Sequence, residues 1–338
     1  MEVNKIHNIN FLENTLPDKC AKLIIADPPY FEVKGAFDFI WADMKAYLLD
    51  VEKWAIECKR LLADNGTLFW YGHAKNIAYA QVIFDMHFNL INNLVWDKGS
   101  FMGLEESEGL RSFAPCTERI LMYGSKAQDT TGLDYVKAEF VSPNNPISIY
   151  MKQEMKSHSI TQREIAKLFP SVTGGLTGCV HNWLNGDGRA ITKEHYEKIQ
   201  LNFDYAFKKP YEELKKEYEE LRKEYEELRK EYEELRRPFA NYFKLQEIFR
   251  FSNEAVKTGA KYDHDTVKPE TLTRALILTC SRVNDLVVVP FAGSGTECAM
   301  SVKENRKTIG FEITEKHAKM SNDRVQNILR QPSLFVGS

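Results

Sequence analysis

Apolar and polar positions along the chain follow two patterns. From residue 22 to about 124, short apolar runs alternate with stretches of helical period. "LIIAD" (23–27) is apolar without alternation and dominated by β-branched and aliphatic residues, which predicts a short strand covered on both faces. Pro28 and Pro29 end its ladder by removing two backbone donors and fixing φ. Tyr47, Val51, Trp54, Cys58 and Leu61 recur at three and four, predicting a helix over about 43–63, with "DNG" (64–66) as its stop and "TLFWYG" (67–72) as the next strand. A helix near 74–86 and strands near 90–96 and 118–123 complete this half. The C-terminal hundred residues return to this alternation, with a helix over 268–281 whose apolar face is Leu272, Ala275, Leu276 and Leu278. A strand in "DLVVVP" (285–290), a turn into a helix, a strand in "KTIGFEI" (307–313) and a helix over 314–329 follow. Strand, helix and strand in succession imply right-handed crossovers and a largely parallel sheet.

Between the halves the pattern is helical throughout. In "SITQREIAKLF" (159–169) Thr161 and Glu164 form a capping box, and "PSVTGGLTGCVHNWLNG" and "ITKEHYEKIQLNF" supply two further short helices. Helix, glycine-containing turn, helix is the pattern of a DNA-reading helix-turn-helix and equally of an ordinary helical insertion. Residues 211–237 then repeat every seven, with Tyr211, Tyr218, Tyr225 and Tyr232 at position a and Leu214, Leu221, Leu228 and Leu235 at position d. Glu212, Glu219 and Glu226 precede Lys216, Lys223 and Lys230 by four, the favoured order for helix ion pairs. This helix is either a solvated strut resting a narrow stripe on its own domain or a dimerising coiled coil. Tyrosine at every a position fits a tight two-stranded seam poorly, which favours the strut. Pro238 ends it.

Charge narrows the partners less than the pattern does. The chain of 338 residues carries a formal charge of −3, all of it accounted for by residues 211–237, where eleven Glu face eight Lys or Arg, so the rest is neutral. A neutral body still accommodates a basic cleft, and a nucleic-acid partner stays open. The six cysteines are scattered without a CxxC pair, which indicates neither zinc nor a disulfide framework and suits a reduced cytoplasmic protein. No stretch has the length of a signal peptide's apolar core or a membrane span.

Candidate chemistry concentrates at two strand ends. In "VVVPFAGSGTE" (287–297) a buried strand empties into a turn where Gly293 and Gly295 permit tight bending, and a helix starts near Thr296, placing a small ligand at the carboxyl ends of the strands. A phosphate-binding P-loop is disfavoured, because no Lys-Ser or Lys-Thr follows the second glycine. The next strand delivers Glu312 to the same edge, where an acid can accept from the ribose hydroxyls of an adenosine-containing cofactor.

An acid after a strand, two prolines and an aromatic ("DPPY", 27–30), with a strand, a "FAGSG" turn (291–295) and an acid on the following strand, resemble the S-adenosylmethionine-dependent amino-group DNA methyltransferases. "DPPY" before "FAGSG", with an insertion between them, resembles the β class of that family. "VWDKGS" (95–100), "ERILMYG" (118–124) and "HDTVKPETL" (264–272) are similar to further family segments, and the resemblance covers both halves, some 220 residues. It implies an α/β fold: a Rossmann-like methyltransferase with a mostly parallel sheet, formed by residues 1–150 and 238–338, into which 151–237 is inserted as a helical target-recognition region. It also implies S-adenosyl-L-methionine as cofactor, double-stranded DNA as partner and a cytoplasmic, nucleoid-associated enzyme, with a homodimer if the heptad helix pairs. Asp27, Pro28, Pro29 and Tyr30 are then the catalytic residues, and Asp27, Lys268, Phe291, Ala292, Gly293, Ser294, Gly295, Thr296 and Glu312 the cofactor-binding ones.

The chemistry suits those residue types. The exocyclic amine of adenine is a poor nucleophile because its lone pair is delocalised into the ring. Asp27 and the Pro28 carbonyl can accept its two N–H bonds, since no ladder continues beyond the prolines. Tyr30 would stack on a base rotated out of the duplex, and 31–44 is a candidate loop to close over it. Asp27 favours adenine-N6 over cytosine-N4, because the N4 enzymes of the family more often carry Ser there. One departure is Val289, where the β class has Asp before Pro-Phe; this leaves Glu312 and Lys268 as polar partners of the cofactor. Cys116, in a Pro-Cys pair, reads as a strand-start cysteine rather than a cytosine-C5 nucleophile. Met102, Trp96 and Trp183 read as packing residues and His264 as a local hydrogen-bonding one. Competing readings are cytosine-N4 methylation, a DNA-binding regulator on a methylase scaffold, and methylation of RNA or of a protein glutamine amide.

Overall fold

The computed structural model describes residues 1–33, 36–99, 111, 113, 115–126, 146–170, 178–185, 191–251 and 267–330. The chain divides into two compact units, Met1–Asp134 with Arg236–Ser338, and Tyr135–Leu235. Met102 and His264 lie outside the described residues, as do 34–35 of the 31–44 loop.

The first unit is built on an eight-stranded sheet: β1 (Lys5–His7), β2 (Ala21–Ala26), β3 (Leu62–Gly72), β4 (Phe88–Asp97), β5 (Thr117–Ser125), β6 (Ile248–Arg250), β7 (Leu286–Val289) and β8 (Lys307–Phe311), in the order β1-β8-β7-β2-β3-β5-β4-β6. Every neighbouring pair is parallel except β3–β5 and β5–β4, so β5 alone runs against the others. Alternate residues of β2 serve opposite cores. Ile24 and Ala26 pack with α1 (Met44–Leu61) and α2 (Ile77–His87). Leu23 and Ile25 share the other core with α8 (Glu270–Cys280), α9 (Thr296–Lys303) and α10 (Glu315–Leu329). This is the three-layer arrangement that an apolar, non-alternating strand requires.

Several local expectations need correction. "DNG" does not stop a helix: α1 ends at Leu61 and β3 begins at Leu62. The register jumps from Ala21↔Leu62 to Leu23↔Thr67, so 63–66 form an irregularity within the strand edge. On α8 the buried residue is Ile277, while Leu278 is half-exposed. β1 and β6 have three residues each, too few for periodicity to register.

The second unit has its own core. Helices α3 (Pro146–Ser157), α4 (Gln162–Ala166), α5 (Cys179–Asn185) and α6 (Lys193–Asn202) enclose Ile147, Met151, Ile165, Trp183 and Tyr196. The capping box is formed: Thr161 Oγ1 accepts from Glu164 N (3.2 Å) and the Glu164 carboxylate from Thr161 N (2.7 Å). The heptad segment is one helix, α7 (Tyr211–Leu235), about 37 Å long at 1.5 Å per residue. Among the stripe residues whose side chains are described, burial falls along the helix. Leu214 is fully buried, whereas Leu221 is 41% and Leu235 72% exposed. Glu212 pairs with Lys193 of α6 (2.7 Å) and Lys216 with Glu220 (3.9 Å), in place of the expected Glu212–Lys216 pair. No described helix is long and apolar enough to cross a membrane.

Candidate active site

Strand register brings the two distant motifs together. Ile24 pairs with Val288 and Val288 with Ile309, so three residues further along each strand Asp27, Phe291 and Glu312 stand in one row at the carboxyl edge. The helix after β2 covers one face of the sheet and the helix after β7 the other, which makes this edge a topological switch point. A cavity of about 890 Å³ opens there, lined by Asp27, Pro28, Pro29 and Tyr30 on one side and Phe291, Gly293, Ser294 and Glu312 on the other. That volume lies in the upper part of the usual range for ligand sites.

Asp27 is fixed from both sides. Tyr30 Oη donates to Asp27 Oδ1 (2.6 Å), and Lys268 Nζ stands 2.9 Å from Oδ2. Lys268 also pairs with Glu118 Oε2 (3.2 Å), whose other oxygen accepts from Lys98 Nζ (2.8 Å). Beyond the Tyr30 hydroxyl, Asp27, Lys268, Glu118 and Lys98 thus form a row of alternating charges. Burial works against ionised Glu118, but the Lys268 and Lys98 ammonium groups outweigh it and hold its carboxyl at about 2. Burial likewise opposes charge on Lys268, and Asp27 and Glu118 override it, so this lysine stays protonated. Burial and the Asp27 and Glu118 charges push the Tyr30 phenol well up, which keeps it a donor. The Lys268 ammonium lies 5.6 Å from the Tyr30 ring centre, 5.2 Å from that of Tyr71 and 5.9 Å from that of Trp96. Described parts of the 31–44 loop are tied to the same corner: Asp38, buried, accepts from Tyr30 N (2.5 Å) and its carbonyl from Glu32 N (2.9 Å).

The glycine turn is held from α10. Gly293 and Gly295 have φ of 47° and 74°, where a side chain is strained. A Cβ on Gly295 would also sit 2.7 Å from Ser321 Cβ and 3.0 Å from its Cα. Ser321 Oγ donates to Gly293 O (2.7 Å), while Arg324 donates to Ser294 O (3.1 Å), Thr296 Oγ1 (2.9 Å) and Glu270 Oε1 (2.6 Å). Glu312 accepts from Gly293 N (2.9 Å) and Thr314 N (2.8 Å), one bond per oxygen, leaving each a further lone pair.

Of the residues singled out from the sequence, Asp27, Pro28, Pro29, Tyr30, Phe291, Ala292, Gly293, Ser294 and Glu312 line the cavity. Lys268, Gly295 and Thr296 stand behind its wall, and the Lys268 charge is committed to Asp27 and Glu118. Val289 is fully buried in the sheet core. Trp96 is buried with its indole N–H on Phe251 O (3.0 Å), and Trp183 packs against Phe169 and His195. Cys116 is exposed immediately before β5. Sequence reading gave no role to Lys98, Glu118, Glu297, Ser321 and Arg324: the first three lie within the quoted segments 95–100, 118–124 and 287–297 without standing out there, and no local motif marks Ser321 or Arg324.

The fold and site together define a methyltransferase-type α/β protein. The chain belongs to the DNA methylase family of N6/N4 type, whose profile matches residues 21–323, and it is therefore a DNA methyltransferase of an S-adenosylmethionine-dependent family. It is 22% identical over 325 residues to the type II methyltransferase M1.MboII of Moraxella bovis, covering 95% of this chain and 96% of that one. Over 63 residues, 19% of this chain and 21% of the other, it is 43% identical to the DNA adenine methyltransferase YhdJ of Escherichia coli K12. Among solved structures, the DNA modification methylase TTHA0409 of Thermus thermophilus superposes with a TM-score of 0.50 at 15% identity over 96% of each chain. The cytosine-N4-specific PvuII DNA methyltransferase gives 0.50 at 11% identity, covering 96% of this chain and 92% of that one.

Proposed function

We propose that the protein is a site-specific DNA adenine-N6 methyltransferase, with Asp27, Pro28, Pro29 and Tyr30 as the catalytic corner. The observation that carries this reading is the row Asp27–Phe291–Glu312 on three adjacent strand ends, facing one cavity. The residues present suit S-adenosylmethionine. Glu312 is oriented by two backbone donors and keeps lone pairs for ribose hydroxyls, Phe291 and Phe11 offer apolar walls for an adenine ring, and the turn's glycines keep the backbone free of side chains. Of the cofactor contacts expected from the sequence, Phe291 to Ser294 and Glu312 bind directly, while Lys268, Gly295 and Thr296 shape the site from behind.

The cofactor supplies an electrophilic methyl group on a sulfonium. The chain's residues prepare the nucleophile: Asp27 and the Pro28 carbonyl accept the two N–H bonds of the exocyclic amine, raising electron density on nitrogen. Lys268 keeps Asp27 fixed, so its acceptor direction is set before the base arrives. Tyr30 stacks on the flipped base. In-line transfer needs positioning rather than a covalent nucleophile. Asp27 and the local similarity to an adenine methyltransferase favour adenine over cytosine-N4. Duplex DNA is the partner, residues 151–237 are the target-recognition region, and the enzyme works in the cytoplasm at the nucleoid.

A second copy of the chain is a further partner. In the heptads of α7 the g positions are Glu217, Glu224 and Glu231 and the e positions Lys215, Arg222 and Arg229. A parallel pair sets g Glu against e Lys or Arg, while an antiparallel pair sets like against like, so the charges favour a parallel homodimer.

The test is methyl transfer from labelled S-adenosylmethionine to duplex DNA by wild type and Asp27→Ala. The variant is expected to lose at least about 100-fold in kcat with DNA binding largely kept. Transfer by the variant at the wild-type rate would refute the assignment, and a wild type that binds DNA without transferring methyl would favour the regulator.

A further inference from the structure

Glu297 follows the glycine turn by two residues, in the first turn of α9. It is 4% exposed, yet it borders the cavity, and its Oε1 has no hydrogen-bond partner. The charged and titratable groups that face it come from four directions: Asp27 beyond β2, Tyr71 on β3, Lys268 before α8 and Arg324 on α10. Lys268 is engaged by Asp27 and Glu118, and Arg324 bonds Ser294, Thr296 and Glu270. The Tyr71 hydroxyl also lacks a partner, so the phenol and the carboxyl do not satisfy one another. An acid kept in this way, inside a ligand cavity and short of a donor, is costly to the free protein and suited to a cationic ligand group. The position that the resembled family fills with an acid is here Val289, sealed in the sheet core.

We propose that Glu297 is a cofactor-binding residue that accepts a hydrogen bond from the α-ammonium group of S-adenosylmethionine. This rests on the reading of the cavity as the cofactor site. The cofactor has two positive centres, and only the ammonium carries N–H bonds; the sulfonium has none to offer the unpartnered oxygen. Burial first, and the Asp27 charge next, push the Glu297 carboxyl up to about 7 against the opposing pull of Lys268 and Arg324. In the free protein it is therefore largely protonated below neutral pH. The ammonium favours the carboxylate, so cofactor binding drives that proton from Glu297 to the solvent while the ammonium keeps its own three.

Calorimetric titration of wild type and E297Q at pH 6.5, in two buffers of different ionisation enthalpy, tests this with S-adenosylmethionine and S-adenosylhomocysteine. Both ligands carry the ammonium and only the first carries the sulfonium. Wild type is expected to release part of a proton on binding either ligand. In E297Q the release disappears and both affinities fall by about 10- to 100-fold. Unchanged affinity and unchanged release would overturn the inference, as would weakening confined to S-adenosylmethionine, which would assign the sulfonium instead. A wild type that bound neither ligand would overturn the cofactor reading itself, and the inference with it. If E297Q does not fold, proton release by the wild type decides alone: none at pH 6.5 with either ligand refutes it.

Discussion

Glu118, which lines the cavity, shapes this corner through the two ammonium groups on either side of it. It separates Lys98 from Lys268, and Lys268 in turn holds Asp27. Because its folded-state carboxyl sits near 2, below the ordinary glutamate value of 4.5, it adds stability above about pH 4.5 that is lost as pH falls toward 2. Urea unfolding should therefore show wild type more stable than E118Q at pH 5, with the gap narrowing by about 2 kcal/mol at pH 3; a gap independent of pH would contradict the pairing. At this scale the sequence was legible where neighbours in the chain share one site. Asp27 with its prolines and Gly293 with Gly295 are contiguous signals, and Glu312 follows a strand by spacing. Lys98, Glu118, Ser321 and Arg324 carry no such signal, because each acts on a partner at least 20 residues away, and the pairing exists only once strands and helices are stacked.

Elements were legible in proportion to their length and burial. The strand at 23–27 is marked by an unbroken apolar run because both its faces pack on cores, and the helices α1 and α10 by clear helical periods because each packs one face. β5 was located but its direction was not, because periodicity is the same for a parallel and an antiparallel strand. The three-residue edge strands β1 and β6 have no periodicity at all. For α7 the repeat predicted the helix correctly, while the structure sharpened the choice between strut and pair: Leu214 is buried in its unit, whereas Leu221 and Leu235 face solvent. Sedimentation velocity should find a dimer at micromolar concentration for wild type, and a monomer for Leu221→Glu with Leu235→Glu. A wild type that stays monomeric would leave α7 as a strut.

On the scale of the whole molecule, the first and last thirds of the chain form one sheet, and the register of β2, β7 and β8 joins sites more than 260 residues apart. That assembly was anticipated from motif order, which implies two halves closing around an insertion. The compact units divide after Asp134 and after Leu235, and α3, beginning at Pro146, packs with the helical core. What composition could not reveal is the charge distribution that matters: a neutral body holds a row of two lysines and two carboxylates along the cavity, with Lys268 buried behind its wall. The most direct measurement is nucleoside analysis of duplex DNA after incubation with the purified protein and S-adenosylmethionine. N6-methyladenine is the predicted product; N4-methylcytosine in its place, or no methylated nucleoside, would contradict the assignment.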